Sequence, residues 1–442
     1  MRDVLLVTLF AGILPFAIRH TWVGVLLWTW LSLMNPHRLT FGFANDFPFA
    51  AIAAVATLAS LLWNTDKWRV PRDATVWLLV LFVVWMCVTT ALAIDPNSSL
   101  PALDRAAKIQ LMTLVALLSI RERKHIELFV WINVLSIGFY GVKGGLFALA
   151  TGGSYRVWGP VGSFVEDNNA LGLALVMIIP LGYYLWQRAR QRWLKWGLAV
   201  FLLLNAVGAL STQSRGTFLG IVAMSLVLWT RARNKWFGAA VMLASAVLLV
   251  SFMPDTWSDR MRTIGSYEED SSAMQRLNAW QTAVNIANNR VTGAGFAVAT
   301  PEIFARYSPK PEWIVTAHSI YFQPLGEHGW IGLALFLSLG ALSFWNARRI
   351  RRDAAQHAET QWAHDLAGMV QVSMIGYAVA GAFLSLSYWD LPYNFIIMLI
   401  AMKYWLIEER CKHEKAGALG ATSSLTKESA QAPVSGHRAR AS

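Results

Sequence analysis

Thr75–Ile94 reads TVWLLVLFVVWMCVTTALAI, twenty residues without a charged side chain. A helix of that length crosses about 30 Å, the hydrocarbon thickness of a bilayer. Comparable runs occur at Val4–Ile18, Trp22–Met34, Pro48–Trp63, Leu103–Ile120, Ile126–Ala150, Ala170–Trp186, Trp193–Leu210, Gly216–Thr230, Trp236–Met253, Trp330–Asn346, Leu366–Leu386 and Leu391–Ile407. The first two are short and separated only by Arg19–His20, so they read as two spans, a re-entrant hairpin or one broken helix. The expected fold is all-α: a polytopic transmembrane bundle of twelve or thirteen spans with one large extracytoplasmic loop.

The composition agrees. Of 442 residues, 55% are hydrophobic and 14% charged, too few charges to cover a soluble domain of this size. Twenty-two Trp suit the interface between lipid tails and headgroups. The net charge of +12 is spread through short loops rather than gathered in a patch, which argues against a nucleic-acid partner. Cys87 lies in an apolar run and Cys411 in a charged tail, so neither a disulfide nor a zinc site is expected.

One alternating set of connections holds Lys67/Arg69/Arg72, Arg121/Arg123/Lys124, Arg188/Arg190/Arg192/Lys195, Arg231/Arg233/Lys235 and Arg348/Arg349/Arg351/Arg352. The opposite set of short connections holds Arg38, Arg156 and little else. The positive-inside rule puts the first set in the cytoplasm. The chain then divides into N-terminal transmembrane helices (1–253), an extracytoplasmic loop (254–327), C-terminal transmembrane helices (328–407) and a cytoplasmic tail (408–442). The tail is rich in Ala, Ser, Gly and charge, and is expected to be disordered.

Four stretches could carry chemistry. His318, in Thr316–Gly332, stands where the long loop meets an apolar segment; it suits a general base, and equally an interfacial His bonded to a helix end. His328 reads as turn structure beside Gly329. Arg215, in Ser211–Thr217, sits at a membrane edge, where it either snorkels to headgroups or grips phosphate through its planar fork. Glu268–Trp280 reads as the start of an amphipathic helix with Met274, Leu277, Trp280, Val284 and Ala287 on its apolar face and Arg276 at the edge, ending near Asn288–Asn289. Arg156 lies in a short loop whose Asp167–Asn169 cap the next helix; it is as readily an ordinary loop residue as part of an anion site. No nucleotide fingerprint, zinc motif or nucleophile elbow is present, and the spans hold almost no Asp or Glu, unlike most ion-coupled pumps.

Taken together, Ser214-Arg215-Gly216, Arg276 within Ser272–Trp280, the Gly293-Ala-Gly295-Phe turn, Ala317-His318-Ser319 and Gly326-Glu-His-Gly-Trp-Ile-Gly332 resemble the O-antigen ligase superfamily of bacterial inner-membrane glycosyltransferases. Trp28–His37 resembles the branch of exosortase-associated O-glycosylation ligases, and the likeness runs from the first residues to about Ile407. The resemblance implies a glycosyltransferase-C-like membrane fold. It implies a glycan donor linked to undecaprenyl diphosphate, used at the periplasmic face without a cofactor or metal, and a lipid A core acceptor. It also implies His318 as the catalytic residue and Arg215 and Arg276 as residues essential to the reaction, for which donor diphosphate binding is the expected role; Arg156 joins them by position alone. Relatives that polymerise repeat units or glycosylate proteins share the donor. A lipid-linked glycan flippase or a structural partner of a secretion complex are the readings from outside the enzymes.

Overall fold

The computed structural model describes residues 1–64, 70–231, 234–236, 239 and 271–430, with side chains to 411. The expected span at 236–253 and the helix start at Glu268–Asp270 therefore fall largely or wholly outside the described residues. Every other expected span coincides with a helix: α1 (Arg2–Arg19), α2 (Thr21–Met34), α3 (Phe49–Trp63), α4 (Ala74–Ala91), α5 (Pro96–Ser119), α6 (Arg123–Ala150), α7 (Asn168–Arg188), α8 (Arg192–Ser211) and α9 (Arg215–Arg231). After the gap come α10 (Ser271–Asn289), α11 (Pro301–Tyr307), α12 (Phe322–Ala354), α13 (Gln361–Ala380) and α14 (Asp390–Ala430).

Among the described residues seven helices are long and apolar enough to cross a membrane: α4, α6, α7, α8, α12, α13 and the first part of α14. Of the other expected spans, that at 236–253 lies largely outside the described residues. The helices α2 and α3 are apolar but only 14 and 15 residues long. The ambiguity at the N-terminus resolves as two helices, α1 and α2, joined by an extended His20 and packed on each other and on α3. The last helix extends to Ala430.

Helix α7 is the axis of the bundle; residues 170–178 are all buried against α6, α8 and α13. Lipid supplies no hydrophobic drive between helices, so close backbone approach does the packing. Glycines on α6 and α8 permit it: a Cβ at Gly145 would stand 2.2 Å from the Leu204 carbonyl oxygen, and one at Gly208 would stand 2.6 Å from that of Gly141. Buried polar pairs set register across the bundle. Asn394 Nδ2 donates to Asn133 Oδ1 at 2.7 Å, Asn346 Nδ2 donates to Thr75 Oγ1 at 2.9 Å, and Lys403 pairs with Asp73.

The helix α12 is broken at Gly329, whose φ of 68° and ψ of −171° are open only to glycine. The break frees carbonyls for the Gly293–Gly295 turn: Ala294 N donates to Gly326 O at 2.9 Å and Gly295 N to Glu327 O at 3.0 Å. The boundary read between loop and span at residue 327 therefore falls inside a helix, at its break. A Cβ on Gly329 would lie 2.2 Å from the Val291 carbonyl oxygen. Gly329→Ala is expected to cost about 3 kcal/mol or more from dihedral strain and this clash, read as a lowered thermal midpoint in detergent. An unchanged midpoint would show that the chain can straighten there.

Candidate active site

The candidate residues arise at one end of the bundle, where helices α6–α7 and α8–α9 turn round. The helix α8 ends at Ser211, and Gln213 adopts a left-handed φ of 54°, so the chain reverses and α9 begins on Arg215 itself. Ser214 Oγ accepts from Thr217 N at 3.3 Å and helps satisfy the first turn of α9. Gly216 lets this turn close on the short 3₁₀ turn Gly381–Phe383; a Cβ there would meet the Ala380 carbonyl oxygen at 3.3 Å.

Arg156 reaches the same place from the α6–α7 connection. Val157 N donates to Ser211 O at 3.0 Å, pinning this connection against the end of α8. Arg156 is exposed, and its Nε donates to Gln213 Oε1 at 3.4 Å. Asp167 caps α7 as expected, accepting from the amides of Asn169 and Ala170, while Asn168 Nδ2 donates to Thr212 O at 2.7 Å. Two helix N-termini, those of α7 and α9, thus open side by side, and amides at such ends favour anions.

The helix α10 supplies Arg276 across the gap. Its buried face differs from the one expected. Asn278, Ala279, Thr282, Ala283, Ile286 and Ala287 are buried, whereas Leu277 is 40% exposed. The reason is its partner: α10 packs on α12, where small side chains meet Gly326, and Asn278 bonds the backbone of Lys310. It docks on protein through small and amide residues rather than on lipid through large ones. Arg276 and Trp280 are left half-buried on the side toward α9.

Arg156, Arg215 and Arg276 come together on one cavity of about 680 Å³, shared with Asn169, Gln213 and Trp280. Gln213, Asn168 and Trp280 had not been singled out as site residues. Gln213 and Asn168 lie inside motifs already noted, but only the turn at Gln213 and the packing of α10 direct them to a common space.

His318 is not on the wall of this cavity; it stands beside it on the connection from α11 to α12. Trp280, which lines the cavity, donates from Nε1 to Ala317 O at 2.7 Å and stacks on Phe322 at 4.8 Å between ring centroids. His318 is half-buried and has a left-handed φ of 42°, uncommon for a residue with a side chain. Burial, and secondarily the nearby Arg276 guanidinium, hold its pKa below the usual histidine value, against a weaker opposing pull from Asp167. The neutral form of the ring, the one able to accept a proton, is therefore favoured. His328, by contrast, is a core residue: it is fully buried, with Nδ1 2.7 Å from Thr89 Oγ1 and its ring edge-on to Phe296. Among the described residues no group of three His, Cys, Asp or Glu converges as metal ligands would.

The basic connections lie at the other end of the bundle. There Arg231 and Arg351 both donate to Gln371 Oε1 at 3.1 Å, and Arg231 also donates to Gly368 O at 3.0 Å.

Residues 1–190 match a family of unknown function (DUF5935), and residues 198–337 match a family described as O-Antigen ligase. No curated protein matches the chain. The second match spans Arg215, Arg276 and His318, leaving Arg156 in the first. Within its all-helical, multi-pass architecture, the segment 198–337 that borders the arginine cavity thus matches the O-antigen ligase family, whose members imply a glycosyltransferase-like activity of the ligase or polymerase type.

Proposed function

We propose that this protein is an O-antigen ligase of the bacterial inner membrane, transferring a glycan from undecaprenyl diphosphate to the lipid A core at the periplasmic face. The observation that carries this reading is the convergence of Arg156, Arg215 and Arg276 on one cavity beside His318. Three guanidiniums from distant parts of the chain suit a diphosphate, whose oxygens they can grip in pairs. A flippase would need such charges along a central path rather than gathered at one end. The site lies at the end of the bundle opposite the basic connections, which supports a periplasmic placement under the positive-inside rule.

In the proposed reaction an acceptor hydroxyl attacks the anomeric carbon as the bond to the lipid diphosphate breaks. His318 takes the hydroxyl proton, and the arginines neutralise the charge that grows on the departing phosphate. One displacement inverts the anomeric configuration. Because the guanidiniums supply the countercharge, EDTA is expected to leave transfer unchanged in rate; loss of activity restored by one divalent ion would show that a metal takes part.

Reconstitution with lipid-linked glycan tests the function as a whole. Product is expected when lipid A core is offered. Transfer only to a protein, or only to a growing glycan, would keep the donor chemistry and replace the acceptor; no transfer in any arm would overturn the enzyme reading.

A further inference from the structure

Behind the connection that carries His318, on the side away from the arginines, the bundle holds a small cavity of about 80 Å³ bordered by Thr316, Ala317, Gln323, Glu327 and Ser385. Glu327 is 7% exposed, and its carboxyl is met by the Tyr388 phenol and the Gln323 amide. A carboxyl in such surroundings is costly, and an apolar side chain of similar size would be the more stable choice.

One of these two contacts leads to the candidate base. Glu327 Oε1 accepts from Gln323 Nε2 at 3.3 Å, one turn earlier in α12. With its amide so oriented, Gln323 Oε1 accepts from Ser387 N at 3.3 Å and stands 3.1 Å from Ser387 Oγ. Ser387 Oγ donates in turn to Ile320 O at 3.1 Å, two residues beyond His318. A left-handed non-glycine residue persists only where its neighbours hold it on both sides. On the N-terminal side the hold is Trp280 on Ala317; on the C-terminal side it is Ile320, through Ser387 and through its own amide to Gly381 O at 2.9 Å.

We propose that Glu327 is a positioning residue for His318, acting through Gln323 and Ser387 on the backbone of Ile320. The carboxyl orients the Gln323 amide, the amide presents its oxygen to Ser387, and Ser387 fixes the far end of the His318 turn. The inference rests on His318 being the base. Reacting groups displaced by about 1 Å can lose roughly 100-fold in rate, so a loosened turn acts on turnover rather than on donor binding.

The test compares Glu327→Leu with Glu327→Gln in the full-length protein, reconstituted with lipid-linked glycan and lipid A core. Leu fills the volume but accepts no bond. Its kcat is expected to fall about 10- to 100-fold, with the KM for donor unchanged. Gln keeps the carbonyl that Gln323 needs and should restore most of that rate, with the pH profile unmoved. Full activity in the Leu variant would overturn the proposal. So would a Gln variant as slow as Leu, since the carboxyl proton and not the bond to Gln323 would then be what matters. His318→Ala run alongside separates the two readings. Activity in that variant overturns the base assignment and this inference with it, whereas an inactive His318→Ala beside a fully active Glu327→Leu overturns the positioning role alone.

Discussion

His318→Ala is expected to abolish detectable glycan transfer while leaving membrane insertion and undecaprenyl diphosphate binding intact. General-base assistance contributes about 10²- to 10⁴-fold, and an acceptor hydroxyl has no other neutral base at this place in the proposed scheme. Binding should survive because the arginines line a cavity that His318 does not border. His318→Gln keeps hydrogen bonding without basicity and should be nearly as slow. The sign of the pH effect follows from the protonation state required: a base works when neutral, so rate falls as pH drops through its pKa. Burial and the Arg276 charge lower that pKa, so the fall should lie below the ordinary histidine range. Arg276→Gln should move it upward. A fully active Gln variant would leave His318 a positioning residue, and an active Ala variant would remove it from the site.

Arg215→Lys and Arg276→Lys are each expected to lower kcat/KM by about 10- to 100-fold, the loss of one charge-assisted hydrogen bond of a bidentate pair. Lysine keeps the charge and much of the reach but offers a point rather than a fork. Weaker binding of undecaprenyl diphosphate should accompany the loss, since both residues line the proposed donor cavity. Arg156→Lys should cost less, because Arg156 is exposed and already donates to Gln213. Rate and binding equal to wild type in both the Arg215 and Arg276 variants would instead make these arginines anchors for lipid headgroups.

The sequence by itself determined the helical, membrane-crossing character of the chain, because uncharged runs such as Thr75–Ile94 leave no other solvent for their side chains. It placed nearly every helix, since hydrophobicity and charge are properties of consecutive residues. It also singled out Arg215 and His318 at edges between apolar and polar segments, Arg276 beside an amphipathic stripe and Arg156 in a short loop, with roles implied by the family resemblance.

Tertiary structure decided the rest. Which runs are long enough to span depends on where helices stop, and α1–α2 turn within a single residue at His20. The buried face of α10 was misread from periodicity because its partner is α12, whose Gly326 accepts small side chains closely. Above all, residues 156, 215 and 276 share a cavity only because Gln213 turns left-handed and α10 faces the start of α9 across it. Contacts between residues so far apart in the chain depend on packing and backbone conformation, which local patterns do not carry. The position of His318 is the sharpest case: its residue type was legible, but the strained turn that presents it is held by Trp280, Ser387 and Gly381, which only the folded bundle brings to it.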